Sequence, residues 1–163
     1  MIQQREYSGR EVKFNKFVED REGLLNLLSN QKESKIDIDD PLTLAYIGDA
    51  WFSLFIRQKI ARFGFQKVRV LQNLESKIVS ATGQSKAWHL LKNEWTDEEN
   101  IWFKRGRNAS PTRARAGGDY RTATGFETVL GFLFETNQIA RLEEVGQKSL
   151  EAVVSELVEK NNN

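Results

Sequence analysis

The chain has 163 residues and a formal net charge of +1, from 24 basic and 23 acidic side chains. This length allows one domain with a short tail, and the charge balance alone indicates no partner. Without cysteine and with a single histidine, the chain cannot form disulfides, thiolate nucleophiles or thiolate zinc sites, which fits a reducing compartment. We find neither a secretory signal nor an apolar stretch long enough to span a membrane, and therefore predict a cytoplasmic protein without membrane attachment.

Two regions are expected along the chain. Residues 1–35 are mixed and polar, and we predict an N-terminal arm, partly disordered, with a short helix at the four leucines within 24–28. Residues 36–160 show helical spacing of apolar side chains and no convincing alternating β segment. The sequence therefore predicts a single all-α domain after the arm.

Five helices are predicted in this domain, over 40–63, 67–92, 96–105, 122–136 and 139–159. Asp40 followed by Pro41 is a typical helix start, and Gly64 is a plausible stop. Thr96 and Glu99 have the spacing of a capping box.

The segment 106–120, GRNASPTRARAGGDY, is rich in residues that form turns. We predict a long loop here, and a loop of this length in a compact domain is usually functional or disordered.

Two carboxylates interrupt apolar helices. Asp49 is the only acid between residues 41 and 58, and Glu127 lies in TATGFETVLGFLFE close to Gly125 and Gly131. A carboxylate buried in such a helix is costly unless a partner compensates its charge. Close packing of the two helices would bring both acids to one Mg²⁺, which commonly takes one or two protein carboxylates. The alternatives are an ion pair between Asp49 and an arginine, and a solvated Glu127.

Basic residues concentrate between positions 101 and 121, where six of them accompany the single acid Asp119 for a local charge of +5. Clustered arginines on a glycine-containing segment favour bidentate binding of backbone phosphates. The alternative is a solvated basic loop. The candidate contacts are Lys104, Arg105, Arg107, Asn108, Arg113, Arg115 and Arg121. His89 is expected at the surface or core edge, and a Ser-His-Asp triad is set aside.

Several motifs resemble a known family. LAYIGDA at 44–50 and TGFETVLGFLF at 124–134 resemble the two carboxylate-bearing helices of ribonuclease III domains. VSATGQSKAWHLL at 79–91, and RGRNA followed by YRTATGFE within 105–127, resemble more narrowly the Mini-III ribonucleases. These are short bacterial members that lack a separate double-stranded-RNA-binding domain. The resemblance covers residues 36–150.

The resemblance implies a ribonuclease III-like endonuclease domain that forms a homodimer. It implies Mg²⁺-dependent cleavage of double-stranded RNA to 5′-phosphate and 3′-hydroxyl ends, in maturation of large-subunit (23S) ribosomal RNA precursors. Asp49 and Glu127 match the family's essential metal-binding carboxylates, and Tyr46 matches an aromatic of the dimer interface. Ala45 and Thr124 stand where larger members have two further carboxylates, so RNA phosphates could complete the metal coordination.

Two other functions remain open on the sequence. One is a non-catalytic helical protein that binds double-stranded RNA, and the other is a helical interaction scaffold. A ribosomal protein partner is a further possibility that the sequence does not identify.

Overall fold

The computed structural model describes residues 39–62, 64, 67–110 and 117–161. These residues form six helices and no β-strand, which confirms the all-α prediction. The expected N-terminal arm lies outside the described residues. None of the described helices is long and apolar enough to cross a membrane. The helices are α1 (Pro41–Ala61), α2 (Val68–Val79), α3 (Ala81–Leu90), α4 (Asp97–Ala109), α5 (Gly118–Glu135) and α6 (Ile139–Asn161).

The start of α1 is fixed by its cap. The Asp40 carboxylate accepts hydrogen bonds from the backbone N–H groups of Leu42 and Thr43, at 3.2 and 3.1 Å, and Pro41 occupies the first turn. After the helix ends, Gly64 has a φ of +90°, a conformation that glycine adopts without strain. The predicted cap is confirmed, but the helix ends at Ala61 with Arg62 as its C-terminal cap, two residues before the predicted stop at Gly64.

The predicted single helix over 67–92 is wrong, because the chain breaks at Ser80 into α2 and α3. Ser80 has an extended backbone, and its Oγ accepts a hydrogen bond from the N–H of Gly83 at 3.1 Å. The corner is tight, since a Cβ on Gly83 would lie 2.3 Å from the carbonyl oxygen of Ile78. The spacing of apolar residues shows which face of a helix is buried, but not where the helix ends. Here the apolar pattern continues through Ser80, although the helix direction changes there.

The predicted capping box at the start of α4 is confirmed. Thr96 Oγ1 accepts from the N–H of Glu99 at 3.2 Å, and the Glu99 carboxylate accepts from the N–H of Thr96 at 2.9 Å. The loop predicted over 106–120 is too long, because α4 extends to Ala109 and α5 begins at Gly118. Gly106 lies inside α4, and the position needs glycine because a Cβ there would be 2.0 Å from Thr128 Oγ1 on α5.

The core is organised around α5, which is buried along most of its length. It packs against α1, α3 and α4, and Phe126 meets Phe52 of α1 edge to face at 5.3 Å between ring centres. On the outside of this core, Arg141 of α6 forms a 2.8 Å ion pair with the buried Glu99 of α4 and also donates to the carbonyl oxygen of Glu94. This contact fixes α6 to the helices that hold α5 in place.

Candidate active site

The site begins with an unusually close approach of α1 and α5. A Cβ added to Gly48 would lie 1.9 Å from the carbonyl oxygen of Glu127, and one added to Gly131 would lie 1.9 Å from that of Leu44. Both positions therefore need glycine for the two backbones to touch. The close packing expected of the two carboxylate-bearing helices is thus present, and its contact points are one residue before Asp49 and at Glu127 itself.

Asp49 and Glu127 interact electrostatically across this contact. Burial and the charge of Asp49 raise the pKa of the Glu127 carboxyl to about 7, while a hydrogen bond from the Gln84 side chain lowers it. Glu127 is half-buried, but Asp49 is exposed. Although Asp49 lies in an apolar helix, its side chain is therefore not buried. The residue facing α5 is Gly48, and the next position on a helix is turned away by about 100°.

The residues present fit a divalent cation. Burial and repulsion from Asp49 disfavour the ionised form of Glu127, and a bound cation would remove that penalty. No third acidic or histidine side chain completes a metal cluster in the described part of the chain. Thr124 Oγ1 already donates to the carbonyl oxygen of Tyr120 at 3.0 Å, and Ala45 offers no oxygen on its side chain. A two-carboxylate site matches Mg²⁺, which keeps several water ligands.

Gln84 is a site residue that the sequence reasoning missed. It lies in the first turn of α3, is 1% exposed, donates through Nε2 to the carbonyl oxygen of Val79 at 3.0 Å, and lowers the pKa of the Glu127 carboxyl. A signal was available, because Gln84 is three and four residues before the apolar positions Ala87 and Trp88. A polar side chain on that buried stripe needs hydrogen-bond partners.

The basic residues are divided between different surfaces. Lys104 and Arg107 line a cleft of about 510 Å³ that is bounded by α3, α4 and the first turns of α5. His89 also lines this cleft and is exposed, as expected for a surface histidine. Asp119 places one acid in the same cleft, so its lining is basic but not uniformly so.

Arg105 points away from that cleft. Its guanidinium lies 4.1 Å from the ring centre of Trp102 and donates to the carbonyl oxygen of Asp39 at 2.7 Å. Arg121 is half-buried and donates through Nε to the carbonyl oxygen of Arg107 at 3.3 Å, which joins α5 to the end of α4. Both arginines therefore have contacts within the fold.

The other candidate contacts are placed differently. Asn108 is exposed on the last turn of α4. Arg113 and Arg115 lie outside the described residues, so their predicted contacts with nucleic acid remain predictions.

A stripe of exposed apolar side chains runs along α1. Tyr46 is 81% exposed, Leu54 is 56% exposed and Leu42 is 41% exposed. Tyr46 lies four residues after Leu42, and Leu54 lies eight residues after Tyr46. These spacings place the three side chains along one side of the helix. An outward apolar stripe of this kind is typical of an interface between proteins.

The arrangement of helices and carboxylates corresponds to a known nuclease class. Residues 42–138 match the model of the ribonuclease III domain, which includes both Asp49 and Glu127. An X-ray structure of a protein from Fusobacterium nucleatum has a similar fold, with a TM-score of 0.62 and 24% identity over 72% of this chain and 97% of that one. The class defined by fold and site is thus that of the ribonuclease III endoribonucleases.

Sequence similarity to individual proteins shows to which branch of the ribonuclease III family the chain belongs. Over 116 residues the chain is 36% identical to the Mini-ribonuclease 3 of Symbiobacterium thermophilum, covering 69% of this chain and 89% of that protein. Over 131 residues it is 37% identical to the Mini-ribonuclease 3 of Staphylococcus aureus, covering 77% and 98%. The chain belongs to the Mini-ribonuclease 3 branch of the ribonuclease III family and is an endoribonuclease.

Proposed function

We propose that the protein is a Mg²⁺-dependent endoribonuclease that cleaves double-stranded RNA, and that Asp49 and Glu127 form its active site. The observation that carries the proposal is the electrostatic pairing of these two carboxylates at the glycine contact of α1 and α5. Outside an active site, a half-buried acid with a pKa of about 7 beside a second acid would only destabilise the fold. With a cation between them, the same two groups become ligands.

The reaction follows from these groups. A bound Mg²⁺ would supply an activated water and neutralise charge on the scissile phosphate. Asp49 and Glu127 would hold that ion from two different helices, and the glycine contact fixes how closely these helices approach. Attack of water on phosphorus with departure of the 3′ oxygen would leave 5′-phosphate and 3′-hydroxyl ends. Two carboxylates would leave room on the ion for phosphate oxygens of the RNA.

The RNA duplex is expected to bind over a surface that includes the basic cleft. Lys104 and Arg107 line it, and Asn108 is exposed one residue after Arg107. Arg113 and Arg115 follow α4 in the sequence. Duplex RNA is recognised largely through its shape, phosphates and 2′-hydroxyls, which suits exposed basic and amide side chains. Arg105 and Arg121 contribute positive charge, and both would have to give up or share contacts within the fold to bind phosphate.

We infer a homodimer formed through the stripe of Leu42, Tyr46 and Leu54. Exposure of three large apolar side chains on one helix is costly in a monomer, and α1 also carries Asp49. Two copies joined through this helix would bring two catalytic sites near one duplex, one for each strand. We propose precursor ribosomal RNA of the large subunit as the substrate, on the strength of the resemblance to Mini-III enzymes.

The test of the proposed function uses long double-stranded RNA that has 5′-hydroxyl ends and is labelled at one 3′ end, with single-stranded RNA of the same sequence as control. We expect cleavage of the duplex in Mg²⁺ and none in excess EDTA, with products that a 5′-phosphate-dependent exonuclease degrades. Salt-dependent binding without cleavage under all metal conditions would instead identify the non-catalytic RNA-binding protein. Absence of both binding and cleavage would favour an interaction scaffold.

A further inference from the structure

A second group of basic residues lies outside the basic cleft. Residues 50–74 contain five basic side chains and no acidic one, in a chain whose net charge is only +1. They belong to the second half of α1, the connecting segment and the start of α2. Such a concentration of positive charge favours a polyanionic partner. Four of the five are exposed and are called here the α1–α2 basic surface: Arg57, Arg62, Lys67 and Arg69.

Arg57 differs from the other three because a buried carboxylate holds it. Its Nε donates to Oε1 of Glu75 on α2 at 2.6 Å, and the Glu75 side chain is 10% exposed. The Arg57 side chain is nevertheless 66% exposed, and its Nη1 and Nη2 have no hydrogen-bond partner among the described residues. Two neighbouring N–H groups of a guanidinium bind a phosphate bidentately, and this end of Arg57 keeps such a pair free.

A second buried acid with an arginine partner shows what an internal ion pair looks like in this fold. Glu99 is bound by Arg141, whose Nε, Nη1 and Nη2 all donate to other groups of the protein. The Arg141 side chain is only 22% exposed. Arg57 instead uses one donor within the fold and presents the others to solvent. Its geometry is therefore that of a side chain held ready for an external acceptor.

Arg57 lies towards the same end of the α1–α5 pair as the basic cleft. Gly131 packs against Leu44, and Gly48 packs against Glu127, so the two helices run antiparallel. The part of α1 that carries Arg57 therefore lies towards the first turns of α5, and those turns line the cleft. An RNA duplex bound in the cleft would thus extend on the side of the molecule where Arg57 is exposed.

We propose that Arg57 binds a backbone phosphate of duplex RNA, that Glu75 positions its guanidinium for this contact, and that the α1–α2 basic surface extends the RNA-binding surface beyond the cleft. The proposal rests on the proposed function and deepens it by adding a binding surface for the same substrate. Arg57 lies eight residues after Asp49 on α1, which is about 12 Å along the helix axis. Because one rigid helix carries both residues, a phosphate bound at Arg57 would help to fix the position of the RNA strand relative to Asp49. Arg57 also lies one turn beyond Leu54, the last residue of the apolar stripe, so the proposed dimer need not cover it.

The alternative is that the Arg57–Glu75 pair only joins α2 to α1. The two roles predict opposite effects of Glu75→Gln on RNA affinity. This variant makes the protein more positive by one charge, so without a positioning role it should bind RNA at least as tightly as the parent. If Glu75 positions Arg57, the variant should bind RNA more weakly in spite of its added positive charge.

The experiment measures affinity for a labelled RNA duplex in EDTA over a range of salt concentrations. The double variant Arg57→Gln, Glu75→Gln removes the ion pair, keeps the net charge and leaves no buried carboxylate without a partner. We expect it to bind about tenfold more weakly than the parent, with the slope of log affinity against log salt concentration lower by up to about 1. The matched control is Lys148→Gln, Glu94→Gln, which removes an exposed ion pair of α6 and also keeps the net charge. This control should bind RNA like the parent.

Glu75→Gln is measured beside these variants, and circular dichroism checks that each variant is folded. A double variant Arg57→Gln, Glu75→Gln that binds like the parent overturns the phosphate contact of Arg57. A Glu75→Gln protein that binds RNA at least as tightly as the parent overturns the positioning role of Glu75. A parent protein that neither binds nor cleaves duplex RNA overturns the proposed function itself.

Discussion

Replacement of Gly48 by alanine should separate α1 from α5. The new Cβ would lie 1.9 Å from the carbonyl oxygen of Glu127, whereas ordinary contact begins near 3.4 Å, so the helices must part by about 1.5 Å. The nearest atoms are the carbonyl group of Glu127 and the backbone nitrogen of Gly131. Because these are backbone atoms, no side-chain rotation can relieve the clash. Overpacking of cores typically costs about 1–3 kcal/mol, and we expect the upper end, about 3 kcal/mol. For a chain of this size that lowers the melting temperature by about 6–12 °C.

The same displacement should reduce catalysis, because it moves Asp49 relative to Glu127. A misplacement of about 1 Å in an active site can cost about 100-fold in rate. Calorimetry would measure the melting temperature, and cleavage of duplex RNA well below that temperature would measure the rate. Gly118→Ala is the matched control for stability, since its Cβ meets nothing within 4 Å. A Gly48→Ala protein that melts and cleaves like the parent would refute the close backbone contact as the basis of the site.

Three further predictions concern pH, assembly and RNA binding. Because the pKa of Glu127 is raised to about 7, the folded protein holds a proton that the unfolded chain releases near pH 4.5. Metal-free stability should therefore fall as pH rises from about 5 to 7, and thermal melts should show that Glu127→Gln removes this component. If the protein forms the proposed dimer, Tyr46→Asp should convert it to an 18.8 kDa monomer in sedimentation. A parent that already sediments as a monomer would refute the dimer, and a variant that stays dimeric would place the interface elsewhere. The double variant Lys104→Ala, Arg107→Ala should lower the slope of log RNA affinity against log salt concentration by up to about 2. The control variant Lys160→Ala should keep the slope of the parent. If the double variant also keeps it, the cleft does not bind RNA.

The helices were predictable where a local signal fixes their ends. Asp40 with Pro41, and Thr96 with Glu99, satisfy backbone donors within a few residues, so their effect does not depend on the rest of the fold. Ser80 could have been recognised as a cap, but the apolar pattern continues through it. Gly106 was wrongly predicted to lie in a loop. Glycine is needed there because a Cβ would clash with Thr128, which lies on another helix, and the local sequence does not show this contact.

The sequence was enough to predict which two residues form the candidate site, but not how their side chains are arranged or exposed. Asp49 and Glu127 stand out because each is an acid in an apolar helix, and the family motifs contain both. The exposure of Asp49 depends on which side of α1 meets α5, and that is decided by Gly48 and Gly131 together. The influence of Gln84 on the pKa of Glu127 depends on the corner at Ser80, because that corner lets α3 pack against α5, an element distant in sequence.

The most direct test of the account measures Mg²⁺-dependent cleavage of duplex RNA by Asp49→Asn, Glu127→Gln and the double variant. Each single variant should remain folded by circular dichroism and lose cleavage, and the double variant should be little worse, because both residues serve one metal site. Glu143→Gln changes an exposed acid on α6 and should cleave like the parent. Near-parental, Mg²⁺-dependent cleavage by either single variant would contradict the assignment of Asp49 and Glu127 as the paired ligands of the active site.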